Sequence, residues 1–130
     1  MYFHINSKDC LSTHPQNIAS DFTVDLPEPI HFHEKWEIGL TEIMYKGKSV
    51  GGDVYVYCDI CETSVINGKR LPILRIIRKA GEIFNVPYYI PISQKTISGI
   101  RVYIRDSDYD PISFSKRVLR CTLHIRKSRR

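Results

Sequence analysis

Apolar and polar side chains alternate with a period of two along nearly the whole chain. No window fits the i, i+3, i+4, i+7 spacing of an amphipathic helix better, so the pattern predicts an all-β fold. Phe3 and Ile5 alternate with Tyr2 and His4, Phe22, Val24 and Leu26 with Thr23 and Asp25, and Trp36, Ile38 and Leu40 with Glu37, Gly39 and Thr41. Ile43 and Tyr45 fall on the opposite parity from Leu40. That slip requires a bulge near Thr41 and Glu42, or cover on both faces of that end.

Further along, Val54, Val56, Cys58 and Ile60 face one way while Tyr55, Tyr57 and Asp59 face the other. Residues 71–79 hold apolar side chains of both parities, Ile73 and Ile77 against Leu74 and Ile76, which predicts a well-covered strand of open facing. Residues 88–92, between Pro87 and Pro91, suit a sheet edge or a strand end. Ile100, Val102 and Ile104 alternate with Arg101, Tyr103 and Arg105. Leu119, Cys121, Leu123 and Ile125 do so with Arg120, Thr122, His124 and Arg126, making eight strands.

Turn signals separate them: Pro27 and Pro29, Gly47 with Gly51 and Gly52, Asn67-Gly68, Gly81, and the acidic run Asp106, Asp108, Asp110 ending at Pro111. Residues 7–20 form the longest connection, a surface loop long enough to carry function.

Eight short strands with one apolar face each need two facing sheets about 10 Å apart. The expected fold is therefore all-β, a single eight-stranded jelly-roll β-sandwich over residues 1–130 with a short basic C-terminal tail at 127–130. In that wiring most connections cross between sheets, and the link from the fourth to the fifth strand is the tight in-sheet hairpin. Asn67-Gly68 falls on that link.

Composition narrows the class. A chain of 130 residues, 42% apolar and 25% charged, makes one globular domain and excludes a multidomain enzyme. No apolar stretch reaches membrane-spanning length and no secretory leader is expected at the amino terminus. Cys10, Cys58, Cys61 and Cys121 accordingly read as reduced thiols of an intracellular setting. Of 19 basic residues, seven lie in residues 116–130 with no acid among them, leaving twelve against fourteen acids in the rest. The formal charge of +5 thus belongs to the last segment.

Few residues invite catalysis. Cys58 and Cys61 have C-x-x-C spacing, but no second pair completes four zinc ligands, and on one strand the two would point to opposite faces. Asp106, Asp108 and Asp110 start like a calcium loop, yet Pro111 stands where an EF-hand needs Gly and Arg117 where it needs Glu. That leaves a solvated turn or a looser ion site. His31 and His33 before Glu34 lack a nucleophile or third ligand. No nucleophile elbow, P-loop or dinucleotide turn occurs. The expectation is a protein that is not an enzyme and that needs neither metal nor cofactor.

The outward faces point to binding. Tyr55, Tyr57, Arg101, Tyr103 and Arg105 lie outward on the fourth and seventh strands, neighbours in a jelly-roll sheet, and Tyr and Arg dominate protein interfaces. They form the expected subunit interface, against ordinary surface tyrosines with scattered charge. Lys116, Arg117, Arg120, Arg126, Lys127, Arg129 and Arg130 suit phosphate, which would make the chain a nucleic-acid-binding β module. The competing reading pairs Arg120 and Arg126 with acids of an adjacent strand, such as Glu37. A carbohydrate-binding jelly roll would show an outward aromatic residue in a groove, and Trp36, the only tryptophan, reads inward.

The stretches Phe22-Thr-Val-Asp-Leu-Pro27, Lys35-Trp-Glu-Ile-Gly-Leu-Thr-Glu-Ile-Met-Tyr45, Val54-Tyr-Val-Tyr-Cys-Asp-Ile60, Leu71-Pro-Ile-Leu-Arg-Ile-Ile77, Tyr88-Tyr-Ile-Pro-Ile92 and Thr122-Leu-His-Ile-Arg126 resemble the minor capsid, or penton, proteins of Polinton/Maverick elements and adintovirus-like viruses. The resemblance implies a structural role in the virion, assembled inside the host cell. A single jelly roll forms a homopentamer at the fivefold vertices of an icosahedral shell, beside a double jelly-roll major capsid protein and packaged DNA. The chain has no Arg-Gly-Asp and no room for the inserted attachment domain of adenovirus-type pentons. A closed ring needs a heterologous contact, one face of a subunit against a different face of the next.

Overall fold

The computed structural model describes residues 1–45, 53–77, 82–83, 87–112 and 118–128, and no helix occurs among them. Its strands are β1 (Tyr2–Asn6), β2 (Asp21–His31), β3 (Trp36–Tyr45), β4 (Val54–Cys58), β5 (Ser64–Ile66), β6 (Lys69–Leu71), β7 (Ile73–Ile77), β8 (Glu82–Ile83), β9 (Tyr89–Pro91), β10 (Thr96–Arg105) and β11 (Leu119–Lys127). All pairings are antiparallel. One sheet runs β1-β11-β3, with β8 and β9 both paired to the far edge of β3. The second runs β2-β10-β4-β7, and β5-β6 stands as a separate hairpin.

The alternation predicted the core. Ile38, Leu40 and Ile43 on β3, Leu119, Cys121, Leu123 and Ile125 on β11, Val54, Val56 and Cys58 on β4, and Ile97, Ile100, Val102 and Ile104 on β10 are buried in one cluster shared by the two sheets. Each contributes about 1.5–3 kcal/mol of apolar transfer, so residue parity rather than turn chemistry fixes which face of each strand points inward.

The parity slip at the end of β3 is a bulge. Thr122 sits opposite Glu42 and Leu123 opposite Leu40, so Thr41 is the extra residue, and its hydroxyl donates to the Thr122 carbonyl at 3.0 Å. A second bulge falls where Val56 faces Arg75 and Tyr57 faces Ile73. It resolves the mixed parity of β7: Leu74 and Ile77 enter the shared core, while Ile73 joins a separate cluster around Tyr57.

Two expectations change. Asn67-Gly68 does not join the fourth and fifth expected strands directly. It closes β5-β6, an additional hairpin on that link, with φ of 50° and 78°, the left-handed pair of a type I′ turn. Cys58 and Cys61 do not point to opposite faces either. The strand ends at Cys58, residues 59 and 60 turn, and both cysteines enter the same core. Gly47, Gly51, Gly52 and Gly81 lie outside the described residues.

β2 is an edge strand, and the long loop seals half of it. Asn17 donates its amide to the Thr23 carbonyl at 2.8 Å and accepts from the Thr23 N–H at 3.0 Å, as a neighbouring strand would. The Asp25 N–H donates to Cys10 Sγ, and the Asp25 carboxylate takes the Thr13 hydroxyl at 3.0 Å and His14 Nε2 at 2.9 Å. Pro27 and Pro29 remove donors from the remaining half. Both devices blunt an edge that would otherwise recruit another chain.

Candidate functional site

The expected Tyr/Arg surface assembles as a cross-strand unit, but the chain covers much of it. Tyr57 on β4 pairs with Tyr103 on β10, and their rings stack at 5.0 Å. Only 1% and 6% of the two residues remain exposed. Ile66, Leu71 and Tyr109 pack over them from the β5-β6 hairpin and the 106–110 loop. Asn67 ties the two covers together by donating to the Ser107 carbonyl at 3.0 Å. Burial pushes the Tyr57 and Tyr103 hydroxyls above the ordinary tyrosine range. The aromatic pair needs covering, as its outward position implies, and the cover is intramolecular.

Arg101 and Arg105 are held rather than free. Arg101 forks onto Asp21, with Nε at 2.9 Å and the second nitrogen at 2.8 Å, and its guanidinium lies 4.4 Å over the Tyr103 ring. The Asp21 carboxylate pushes its pKa up. Arg105 sits between the rings of Tyr103 and Tyr109. What this corner offers a partner is the open side of Arg101 and Tyr55 and the outer face of the hairpin, where Val65 is 66% exposed.

The basic segment is partly neutralised. Arg126 donates to Glu37 at 2.6 Å and lies 3.4 Å over the Tyr89 ring, and Lys127 pairs with Glu34. Arg120 is exposed opposite Met44. Lys116, Arg117, Arg129 and Arg130 lie outside the described residues. His124, on the same outward face, accepts or donates at 2.7 Å with the Tyr89 hydroxyl and stacks on Tyr2 at 4.4 Å. Burial, the amino-terminal ammonium and Arg126 lower its pKa.

Burial shields three of the four cysteines, Cys58, Cys61 and Cys121, from reaction. All four are free thiols. Burial raises Cys58 well above the ordinary range and pushes Cys61 and Cys121 up to about 12, so none of these three is a thiolate at neutral pH. Among the described residues the one cluster that could hold a metal is Asp106, Asp108 and Asp110. The Asp106 carboxylate already accepts the backbone N–H groups of Asp108 and Asp110, each at 2.9 Å, as the loop's own turn requires.

Sequence reading missed one concave feature. Trp36 is half buried at the start of β3, tilted against Phe32 at 5.7 Å, and lines a cleft of about 540 Å³. The His33-Glu34 pair contributes to its wall, with Glu62 and residues 91–95 opposite. Alternation places Trp36 on the inward parity, but as the strand's first residue it sits at the mouth of the sandwich. The polar segments around it are drawn from chain positions 33 to 128, and nothing in their spacing announces that they meet.

No protein-family model matches the chain, and no curated protein matches its sequence.

Proposed function

We propose that the chain is a structural shell protein of the penton type: a single jelly roll that assembles as a homopentamer at the vertices of an icosahedral capsid, beside a double jelly-roll major capsid protein. One observation carries the reading. Following the chain, β1 lies in the first sheet, β2 in the second, β3 in the first, β4 and β7 in the second, β8 and β9 in the first, β10 in the second and β11 in the first. Every link crosses between sheets except those from β4 to β7 and from β8 to β9. That alternation, with β8 and β9 sharing one position, supports the jelly-roll reading.

The rest of the molecule supports a scaffold role. Cys58, Cys61 and Cys121 are buried, Arg101, Arg105 and Arg126 are committed to carboxylates and rings, and the surface keeps large apolar side chains exposed, with Tyr2 at 60%, Tyr88 at 64% and Met44 at 52%. We assign one side of the heterologous contact to the corner built on Tyr57 and Tyr103, presented through Val65, Tyr55 and Arg101. The ring pair and Arg105 support it from beneath.

Size exclusion with light scattering tests the proposal. A particle of about five times 15.1 kDa is expected. A monomer that binds DNA with an affinity falling steeply in salt would overturn it in favour of the nucleic-acid reading. That reading loses weight from Arg126 and Lys127, whose charges are already paired with Glu37 and Glu34.

A further inference from the structure

We infer that the cleft beside Trp36 binds a neutral saccharide. The inference rests on the cleft alone and does not depend on the assembly proposed above.

The walls are preformed. The Phe32 N–H donates to the Lys95 carbonyl at 2.7 Å, Glu62 N–H to Pro91 at 2.8 Å, Ser93 N–H to Ile60 at 2.9 Å, Ile92 N–H to Trp36 at 2.9 Å, and Ser128 N–H to Lys35 at 2.8 Å. Three connections and the end of β11 are thereby stitched into one rim, so little ordering remains for a ligand to impose. At about 540 Å³ the space falls in the ordinary range for small-molecule sites.

The lining specifies the class of ligand. Trp36 is backed by Phe32 and anchored to the core, and its indole N–H makes no hydrogen bond within the described residues. Among the described residues no buried side-chain nitrogen or oxygen lacks a partner, so this N–H is open to solvent. The side chains of Glu62, Gln94 and Lys95 likewise make no hydrogen bond or ion pair among the described residues, although each lines the cleft. An aromatic face supported from behind, with uncommitted donors and acceptors around it, matches the apolar C–H face and hydroxyl rim of a pyranose.

Charge decides against the alternatives. Glu34 and Glu62 oppose an anion, Lys35 and Lys95 oppose a cation, and the polar rim would be left unpaired by a wholly apolar ligand. A carboxylate and an ammonium on one rim can instead accept from and donate to the hydroxyls of a neutral sugar.

Trp36 is the only tryptophan, so its emission reports the site directly. The full chain is titrated with the methyl glycosides of glucose, galactose, mannose and N-acetylglucosamine, and with N-acetylneuraminate as the acidic comparison. At least one neutral glycoside is expected to shift Trp36 emission saturably, with a dissociation constant of about 1 mM. Glu62→Gln and Lys95→Met should each weaken it by about tenfold, the loss of one charge-assisted hydrogen bond. Both side chains are exposed and unpartnered, so their thermal melting should match the parent chain. No saturable shift with any neutral glycoside, a shift indifferent to both substitutions, or preference for N-acetylneuraminate would each overturn the inference.

Discussion

Tyr57 and Tyr103 face each other across β4 and β10 with ring centroids 5.0 Å apart and planes within 13°, sealed beneath a hairpin and a loop. The pair therefore holds the chain's own cover in place before it can serve any neighbouring subunit.

Tyr57→Ala should destabilise the isolated chain by about 3–5 kcal/mol, the range for emptying a buried aromatic site. In a double-mutant cycle with Tyr103→Ala, the coupling should be about 0.5–1.5 kcal/mol. Tyr103→Phe should cost little, because the hydroxyl touches Tyr109 only at 3.5 Å. Urea denaturation under monomeric conditions measures all three. Unchanged monomer stability for Tyr57→Ala would mean that the rings matter only between copies.

Arg126 and Glu37 make a half-buried pair, with 35% and 13% of their side chains exposed. Surface pairs contribute about 0–1 kcal/mol, whereas removing one partner of a buried pair costs about 3–5 kcal/mol. Arg126→Ala is placed between, at about 1–3 kcal/mol, because it strands the better-buried Glu37 and uncovers the Tyr89 ring. Arg126→Lys should recover less than half, since an ammonium cannot hold the Glu37 carboxylate and lie flat on the Tyr89 ring at once. Chemical denaturation in low and high salt checks this, and a loss that vanishes in high salt would reassign the pair to the surface class.

How much of this was legible depended on whether a feature is local. The inward residues of β3, β10 and β11 follow from parity, and the bulge at Thr41 from a single break in it, because each is written within one strand. The fate of Tyr57 and Tyr103 was not, since their outward parity is correct and only the return of the β5-β6 hairpin and Tyr109 buries them. Cys61 shows the same limit: strand spacing sends it away from Cys58, but the strand stops and a turn brings it back. The Trp36 cleft needs three connections at once, and tertiary placement alone assembles it.

Buried thiols set the alkaline limit of stability. Unfolded cysteines ionise near 8.5, while burial raises Cys58 and holds Cys61 and Cys121 at about 12. The folded state keeps its protons longer, so the stabilisation is complete below about pH 8.5 and is lost as pH rises toward 12. Each thiol should contribute a slope of about 1 kcal/mol per pH unit in that window. Denaturation midpoints between pH 8 and 11 should fall accordingly, and less steeply for Cys121→Ala than for the parent chain. In native protein at pH 8, a thiol reagent should label Cys10 and spare the other three; rapid labelling of Cys58 or Cys121 would contradict the burial.

Gly39 occupies an outward position on β3 between Tyr89 on β9 and His124 on β11. A Cβ there would meet the Tyr88 carbonyl oxygen and the Tyr89 ring, each at 3.1 Å, closer than most side chains tolerate. The oxygen belongs to backbone and cannot swing aside, so β9 must move as a unit. That movement would break the 2.7 Å contact between the Tyr89 hydroxyl and His124 Nδ1 and slide the ring from beneath Arg126. Gly39→Ala should therefore cost about 1–3 kcal/mol, as overpacking does, despite the better strand propensity of alanine. The His124 imidazole, whose pKa burial depresses in the native arrangement, should move back toward its ordinary value as the cover loosens. Stability by urea and the His124 titration by NMR should change together; a destabilised variant with an unmoved His124 would show that the alanine is absorbed elsewhere.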